Sequence, residues 1–229
     1  MKELSIVYSL LLKAYGKQGW WPLSKDGSHS LHHQGPPLND NDRFEIMVGA
    51  ILTQNTAWTN VEKALHNLSK EKLLDIQRMH NIDTDHLASL IRPSGYYNMK
   101  AKKLKNLTSF ILTFKSLNGL FNKKNAREMV LSINGVGPET ADSILLYAAE
   151  KPYFVIDAYT RRIFSRFIGK EFSTYDEWQA FFMDSLKHDV GMFKEYHALI
   201  VEHAKRHCRA KPLCEGCLLS RKCNHFKTS

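Results

Sequence analysis

The stretch EMVLSINGVGPETADSILLYAA, residues 128–149, decides the fold of this chain of 229 residues. Apolar residues recur at three- and four-residue spacing on both sides of a short glycine-containing segment, which predicts two helices joined by a tight turn. Gly135 and Gly137 allow the backbone to turn tightly, and Pro138 suits the first position of the second helix. The stretch therefore predicts a helix–hairpin–helix motif.

The same turn offers a site for phosphate. The backbone N–H groups of Gly135, of Gly137 and of the residues just beyond are expected to point outward at a helix N-terminus. Such an arrangement binds phosphate without reading a base sequence. Two glycines in this spacing are also compatible with a plain helix connection, so the hairpin by itself leaves both interpretations open.

The rest of the chain follows the same helical period. Apolar residues recur every three or four positions in FEIMVGAIL (44–52), VEKALHNL (61–68), KAKKLKNLTSFILTF (100–114), AYTRRIFSRFIG (158–169), YDEWQAFFMDSL (175–186) and EYHALIVEHAKRHC (195–208). Only YFVI, residues 153–156, resembles a strand, and it is short and isolated. The sequence therefore predicts an all-α fold.

One segment, SKDGSHSLHHQGPPLNDND at residues 24–42, has a different composition. Its glycine, proline and polar residues predict a surface loop. His29, His32 and His33 could bind a metal, but no second group of ligands accompanies them, so a polar loop is the favoured interpretation. Asp42 and Glu45 have capping-box spacing, which predicts that the next helix starts near Arg43.

Charge and hydropathy narrow the class of protein. The hydrophobic fraction of 43% is typical of a globular chain. A net charge of +9 favours a polyanionic partner such as nucleic acid. No apolar run approaches the roughly 18–20 residues that cross a bilayer, and the N-terminal segment reads as an amphipathic helix. We therefore expect a monomeric protein in the cytoplasm, associated with the nucleoid and not with a membrane.

All four cysteines lie near the C-terminus in the pattern Cys208-x5-Cys214-x2-Cys217-x5-Cys223. Two disulfides packed this closely would be strained. Zinc sites usually show two C-x2-C pairs and this pattern has one, whereas a [4Fe–4S] cluster takes four thiolates with wider gaps. An iron–sulfur cluster is favoured over zinc. Arg209 and Lys211 lie between the first two cysteines, so the cluster could hold a phosphate-binding loop rigid.

Asp157 stands at the end of the apolar run and just before an amphipathic helix. This position is typical of a helix N-cap. A carboxylate placed there and facing a groove could also stabilise a cationic sugar. The two interpretations are compatible, because a cap uses only part of the hydrogen-bonding capacity of a carboxylate.

Taken in order, four features resemble the endonuclease III superfamily of helix–hairpin–helix DNA glycosylases. They are LTQNT (52–56), INGVGPETA (133–141), VIDAYTRRIFSR (155–166) and the terminal cysteines, and the resemblance covers nearly the whole chain. It implies two lobes, a six-helix barrel at 40–150 and a second lobe formed by 1–39 together with 151–229. Double-stranded DNA containing a damaged base would lie across the cleft.

The resemblance also implies roles for individual residues. Asp157 would be the catalytic carboxylate, and Gln54 would fill the gap left by the flipped base. A [4Fe–4S] cluster would be bound by Cys208, Cys214, Cys217 and Cys223, although the first gap is one residue shorter than in the best-known members. DNA backbone would be held by the hairpin and the cluster loop, through Gly135, Gly137, Glu139, Thr140, Arg209 and Lys211.

Glu139 departs from the family pattern. Members that also cut the DNA strand have a lysine at this position, which attacks the sugar C1′ as a Schiff-base nucleophile. Neither Glu139 nor Thr140 can form an imine. The sequence therefore predicts a monofunctional glycosylase that uses water and leaves an abasic site, with a lysine displaced from elsewhere as the alternative.

A narrower resemblance concerns the base. Trp20-Trp21-Pro22, Phe44, GAILTQNTAWTNVEKAL (49–65) and RPSGYYNMKAKKL (92–104) are similar to the 3-methyladenine glycosylase branch. That branch implies removal of alkylated purines, with an aromatic slot formed by Trp20, Trp21, Pro22 and Phe44. Core packing is the other interpretation of these aromatics. Alternative functions are a glycosylase for oxidised pyrimidines or mispaired bases, and a non-catalytic DNA-binding protein with a structural cluster.

Overall fold

The structure is a computed structural model that describes residues 2–24, 31–32 and 35–228. His29 and His33 lie outside these residues. The described chain is mostly helical, and the predicted all-α fold is confirmed. Its helices are α1 (Lys2–Tyr15), α2 (Asp40–Leu52), α3 (Trp58–Lys70), α4 (Ile76–Asn81), α5 (Thr84–Leu90), α6 (Tyr97–Ile111), α7 (Leu117–Phe121), α8 (Ala126–Leu131), α9 (Pro138–Tyr147), α10 (Ala158–Ile168), α11 (Tyr175–Met183), α12 (Val190–Arg206) and α13 (Asn224–Thr228).

Four short elements complete the described fold. Two 3-10 turns span Arg92–Ser94 and Ser220–Lys222. Strands β1 (Pro22–Leu23) and β2 (Leu31–His32) pair antiparallel, so part of the predicted 24–42 loop pairs with the residues just before it. The YFVI segment is not a strand but an irregular stretch whose residues 154–156 are buried.

The chain divides into two compact units. One comprises Met1–Trp20 with Pro152–Ser229, and the other is Trp21–Lys151. This division places positions 21–39 with the larger unit, whereas the sequence predicted them in the cluster lobe. The packing of Trp21 explains this placement. Its ring centroid lies 5.5 Å from that of Trp58 and 5.2 Å from that of Tyr147, and both residues belong to the larger unit.

The larger unit is built around α2. Every residue from Phe44 to Leu52 is buried, because this helix packs against α3, α6 and α9. A helix that is buried on all sides is apolar around most of its circumference. Among the described residues of this unit there are eight α-helices, α2 to α9, more helical segments than the predicted six. Three of them, α4, α7 and α8, have six residues or fewer.

The start of α2 differs from the prediction. The helix begins at Asp40, and Asn39 caps it by accepting a hydrogen bond from the Asp42 backbone N–H at 2.9 Å. Asp42 in turn accepts from the Leu38 N–H at 2.8 Å. The predicted cap at Asp42 is therefore wrong by one turn, because Asn39 offers the same side-chain acceptor three residues earlier.

The smaller unit has an aromatic core. Phe154 stacks on Phe182 at 4.3 Å between ring centroids, and Phe193, Phe164 and Tyr196 pack edge-on around them. This core joins α10, α11 and α12 and fixes the segment that leads into Asp157. In the described part of the chain, no helix combines the length and apolar character needed to span a membrane.

Candidate functional site

The hairpin has the geometry that its sequence predicts. Its turn lies between α8 and α9, with Gly135 at φ +94°, a backbone conformation that favours glycine. Gly137 is the extended N-cap of α9, and Pro138 is the first helical residue. Glu139 is exposed in the first turn, while Thr140 is 7% exposed.

A buried ion pair brackets this hairpin. Arg127 on α8 donates two hydrogen bonds to Asp142 on α9, from Nε at 2.8 Å and from Nη2 at 3.0 Å. The Asp142 side chain has no exposed surface. Because the pair joins the two helices on either side of the turn, it fixes their separation and hence the shape of the turn.

Gln54 lies against the hairpin. Its Nε2 donates to the Gly135 carbonyl at 3.2 Å and to Thr140 Oγ1 at 2.9 Å. Its Oε1 accepts from Lys103 Nζ at 2.5 Å. The structure thus brings Gln54, Gly135 and Thr140 together, and it adds Lys103, which sequence reasoning missed because it lies 49 residues from Gln54.

Lys100 fixes the loop that carries Gln54. Its ammonium donates to the Leu52 carbonyl at 2.8 Å, to Thr56 Oγ1 at 2.7 Å and to the Ser94 carbonyl at 2.7 Å. Burial, and next the charge of Lys103, lower the pKa of Lys100 to about 8. The lysine is 2% exposed, so it is a structural cation.

Tyr96 is an exposed aromatic beside this loop. It follows the Ser94–Gly95 turn at the start of α6, and it is 66% exposed and left-handed at φ +47°. Left-handed tyrosines are uncommon. No local sequence signal predicts this conformation, because Lys100 and Thr56 hold the turn through hydrogen bonds to the Ser94 carbonyl.

The predicted aromatic slot is buried in this structure. Phe44 is 1% exposed and Trp21 is 7% exposed, and Pro22 beside it is also buried. Gly49 makes room for Trp21, because a Cβ there would come within 2.9 Å of the indole. Trp20 is half-buried and belongs to the other unit. The structure shows these side chains as packed, and the slot stays a prediction.

Glu45 is a buried carboxyl beside Phe44. Its Oε1 accepts from the Ser24 backbone N–H at 2.7 Å, which ties the segment after Trp21 to α2. Burial raises its pKa to about 7, although the hydrogen bonds from Ser24 oppose that shift. The sequence indicated only a capping role for Glu45, because its partner lies 21 residues away.

Asp157 caps α10 and keeps a second oxygen for another partner. Its Oδ1 accepts from the Thr160 backbone N–H at 2.7 Å. Its Oδ2 lies 3.5 Å from Nε2 of His197 on α12, and both side chains are 12% exposed. His197 was not singled out in the sequence, because only the fold brings α12 beside the start of α10.

The carboxylate of Asp157 is held in its ionised form. Burial alone would raise its pKa, but the hydrogen bond and the charge of His197 lower it, as do the bonds from Thr160. The net effect is a pKa below the usual value for aspartate. A largely buried, ionised carboxylate is suited to stabilising positive charge that develops on a substrate.

The four cysteines line one cavity in the smaller unit. All four are free thiols. Apolar side chains such as Ile163, Phe167 and Leu219 line the same cavity, together with polar ones that include Arg166, His203 and His207. Burial, together with the neighbouring thiols, raises the pKa of Cys217. Four sulfurs around one cavity are the donor set that a [4Fe–4S] cluster takes.

Two arginines of α10 lie against the first of these cysteines. In the described part of the chain, no three His, Cys, Asp or Glu side chains are placed to hold a metal ion, so a cluster at the cysteines stays a prediction. Arg162 Nε donates to the Cys208 carbonyl at 2.8 Å, and Arg166 Nη1 lies 3.4 Å from its Sγ. Arg209 and Lys211 are exposed on the loop that follows Cys208.

Comparison with known proteins gives a consistent result. Residues 48–188 match the family model of the HhH-GPD superfamily base excision DNA repair proteins. A protein of Methanocaldococcus jannaschii, whose name assigns it provisionally to the DNA repair glycosylases, is 46% identical over 95% of this chain and 94% of its own. Endonuclease III of Thermotoga maritima is 26% identical over 82% of this chain and 85% of its own.

A solved structure is also similar. The crystal structure of H. pylori 3-methyladenine DNA glycosylase bound to 1,N6-ethenoadenine has 31% sequence identity and a TM-score of 0.69. The match covers 90% of this chain and 96% of that chain.

Proposed function

Because the chain belongs to the HhH-GPD superfamily of base excision DNA repair proteins, we propose that it is a monofunctional DNA glycosylase acting on alkylated purines such as 3-methyladenine. That it is a DNA glycosylase follows from the family. The observation that carries the proposed chemistry is the ionised carboxylate of Asp157, held by Thr160 and His197 and still partly exposed.

The mechanism uses one carboxylate. The hairpin binds DNA phosphates, the damaged nucleotide leaves the stack, and Gln54 enters the space that it vacates. As the glycosidic bond breaks, the sugar becomes cationic, and Asp157 stabilises that charge and orients the attacking water. The water adds to C1′ and the base leaves with the bonding electrons, so the products are a free base and an abasic site.

An alkylated purine suits this site. A purine alkylated at N3 or N7 is cationic, and it leaves without a general acid. Stacking on aromatic rings would favour a cationic base. Support for this substrate class comes from Phe44 on α2, from Trp21 packed against that helix, and from the similarity to the H. pylori enzyme. Because Trp21 and Phe44 are buried, the base would enter only after the segment around Pro22 moves.

Base release tests the substrate. DNA containing 3-methyladenine, 7-methylguanine, uracil or an oxidised pyrimidine is incubated with the protein, and the free bases are quantified. We expect release of the two methylated purines and none of the others. Release of uracil or of oxidised pyrimidines alone would refute the alkylpurine proposal and favour the endonuclease III-like alternative. Failure to release any base would favour the non-catalytic alternative.

The absence of lyase activity is the second proposal. Glu139 offers no amine, so borohydride reduction on DNA with an abasic site should give no covalent adduct, and the strand should break only after alkali. Glu139→Lys supplies an amine at this position and should create a trapped adduct. A stable adduct of the unmodified protein would contradict the proposal, and its loss in Lys103→Arg would identify Lys103 as a displaced nucleophile.

We propose that Cys208, Cys214, Cys217 and Cys223 bind a [4Fe–4S] cluster. When bound, the cluster supplies four Fe–S bonds that crosslink the C-terminal loop. Side chains of this chain then position the loop and contact DNA. Arg162 and Arg166 tie this loop to α10, the helix that begins at Asp157. Exposed Arg209 and Lys211 are placed to contact DNA phosphates.

Iron content tests the cofactor. The purified protein should be yellow-brown and contain about four irons per chain. Cys217→Ser should lower the iron content and the midpoint of thermal unfolding. Leu218→Ser, at an exposed neighbour within the same loop, is the matched control and should leave both unchanged. A colourless protein with one zinc per chain would overturn the assignment.

A further inference from the structure

Lys103 packs along the backbone of the hairpin. A Cβ built on Gly135 would meet the lysine Cγ at 2.4 Å and Cδ at 2.8 Å. Three residues further along α6, Asn106 Nδ2 donates to the Asn134 carbonyl at 3.2 Å. Two polar residues that lie about one turn apart on α6 therefore contact the hairpin, and the missing side chain of Gly135 leaves the space that the lysine stem occupies.

No described carboxylate forms an ion pair with the ammonium of Lys103. Its hydrogen-bond partner is the neutral Oε1 of Gln54, and none of the ion pairs among the described residues includes Lys103. An ammonium has three N–H donors. A half-buried cation with one neutral partner keeps its remaining donors for an anion.

The surrounding charge is positive as well. Lys100 lies close enough to Lys103 for the second charge to contribute to lowering the pKa of the first. Lys100 already donates to three oxygens of the protein, so it is saturated. Within the turn and the first residues of α9, positions 133–140, the only charged side chain is that of Glu139, which is acidic. A cation for this turn must therefore come from another element.

We propose that Lys103 supplies the cation that binds a DNA phosphate at the hairpin. This inference rests on the proposed function, since it requires DNA at the hairpin. The phosphate takes the free donors of the ammonium while the turn presents its backbone N–H groups. As Lys103 turns to the phosphate, its bond to Gln54 is released. Phosphate binding and the freeing of Gln54 are thereby coupled in one side chain.

The test uses the salt dependence of binding to an undamaged duplex, which contains no base to release. Each phosphate contact contributes about 0.9 to the slope of log affinity against log salt concentration. Lys103→Met keeps the stem that fills the space at Gly135 and removes the charge. We expect its slope to be shallower by about 0.9, so that affinity changes about 3.5-fold less between 50 and 200 mM salt.

Two further variants complete the comparison. Lys103→Arg retains the charge and should retain the slope. Lys115→Met removes an exposed lysine from the segment that follows α6 and should also leave the slope unchanged. An unchanged slope in Lys103→Met would overturn the inference, as would an equal reduction in Lys115→Met. If Lys103→Met unfolds, Lys103→Gln is compared with Lys103→Arg in the same way.

The inference and the proposed function fail in different ways. A wild-type protein that binds duplex DNA but releases no base would refute the proposed function, while the slope of Lys103→Met would still decide the inference. A protein that releases methylated purines and shows equal slopes in wild type and Lys103→Met would refute only the inference. A wild-type protein without salt-dependent binding would refute both.

Discussion

Asp157→Asn should lower the rate of base release by about 100-fold or more, with little change in DNA affinity. In the proposed mechanism, the substitution removes the negative charge that stabilises the developing sugar cation. Losing a single preorganised electrostatic group at such a site costs about 100- to 1000-fold in rate. Asparagine caps a helix about as well as aspartate. The hydrogen bond from the Thr160 N–H can therefore persist. We expect the rate to fall because the charge is removed, and not because the protein unfolds.

A matched control exists in the same unit. Asp189 caps α12 by accepting from the Met192 N–H at 2.7 Å, the same geometry as in Asp157 and Thr160. Asp189→Asn should leave base release unchanged. The measurement is single-turnover release from methylated duplex, with affinity measured on undamaged duplex. Equal rates for Asp157→Asn and wild type would exclude Asp157 as the catalytic carboxylate.

The pH dependence has a definite sign. Because the folded pKa of Asp157 is lowered, its carboxylate stabilises the folded state above the pKa that it has when unfolded. That stability is lost as the pH falls through the folded value. Base release that depends on the ionised form should accordingly persist down to the usual pKa of aspartate, about 3.9, wherever the protein remains folded.

Arg127→Met should lower the free energy of unfolding of the larger unit by about 3–5 kcal/mol. The carboxylate of Asp142 has no exposed surface and would lose both guanidinium hydrogen bonds. Removing one partner of a buried ion pair has a cost of this size, because the remaining charge stays desolvated. In a chain of this length that corresponds to a fall of about 6–20 °C in the unfolding midpoint.

Two further variants test whether the unpaired buried charge causes this loss of stability. Replacing both partners, with Arg127→Met and Asp142→Leu together, should recover much of the loss, because no charge is left buried. Asp40→Asn removes one side of the exposed pair between Asp40 and Arg43 and should cost at most about 1 kcal/mol. Thermal and urea unfolding measure all three. A loss below about 1 kcal/mol in Arg127→Met would show that this pair does not stabilise the hairpin.

Local signals account for what could be predicted. The turn at Gly135, the cap at Asp157 and the helices around them depend on residues within four positions of each other, and the sequence displays these spacings directly. The start of α2 was placed one turn late because Asn39 and Asp42 offer similar acceptors. The predicted boundary at residue 39 differs from the observed division at Trp21, because the packing of Trp21 on Tyr147 leaves no local pattern in the sequence.

The sequence by itself determined the all-α fold, the hairpin, the capping carboxylate and the grouped cysteines, because each depends on spacing along one short segment. Only the tertiary structure decided which side chains complete the site. His197 reaches Asp157 from α12, Lys103 reaches Gln54 from α6, and Arg127 reaches Asp142 across the turn. Such pairs form when helices that are distant in sequence pack together, because buried charged groups require partners. Helical periodicity does not specify which partner each group meets.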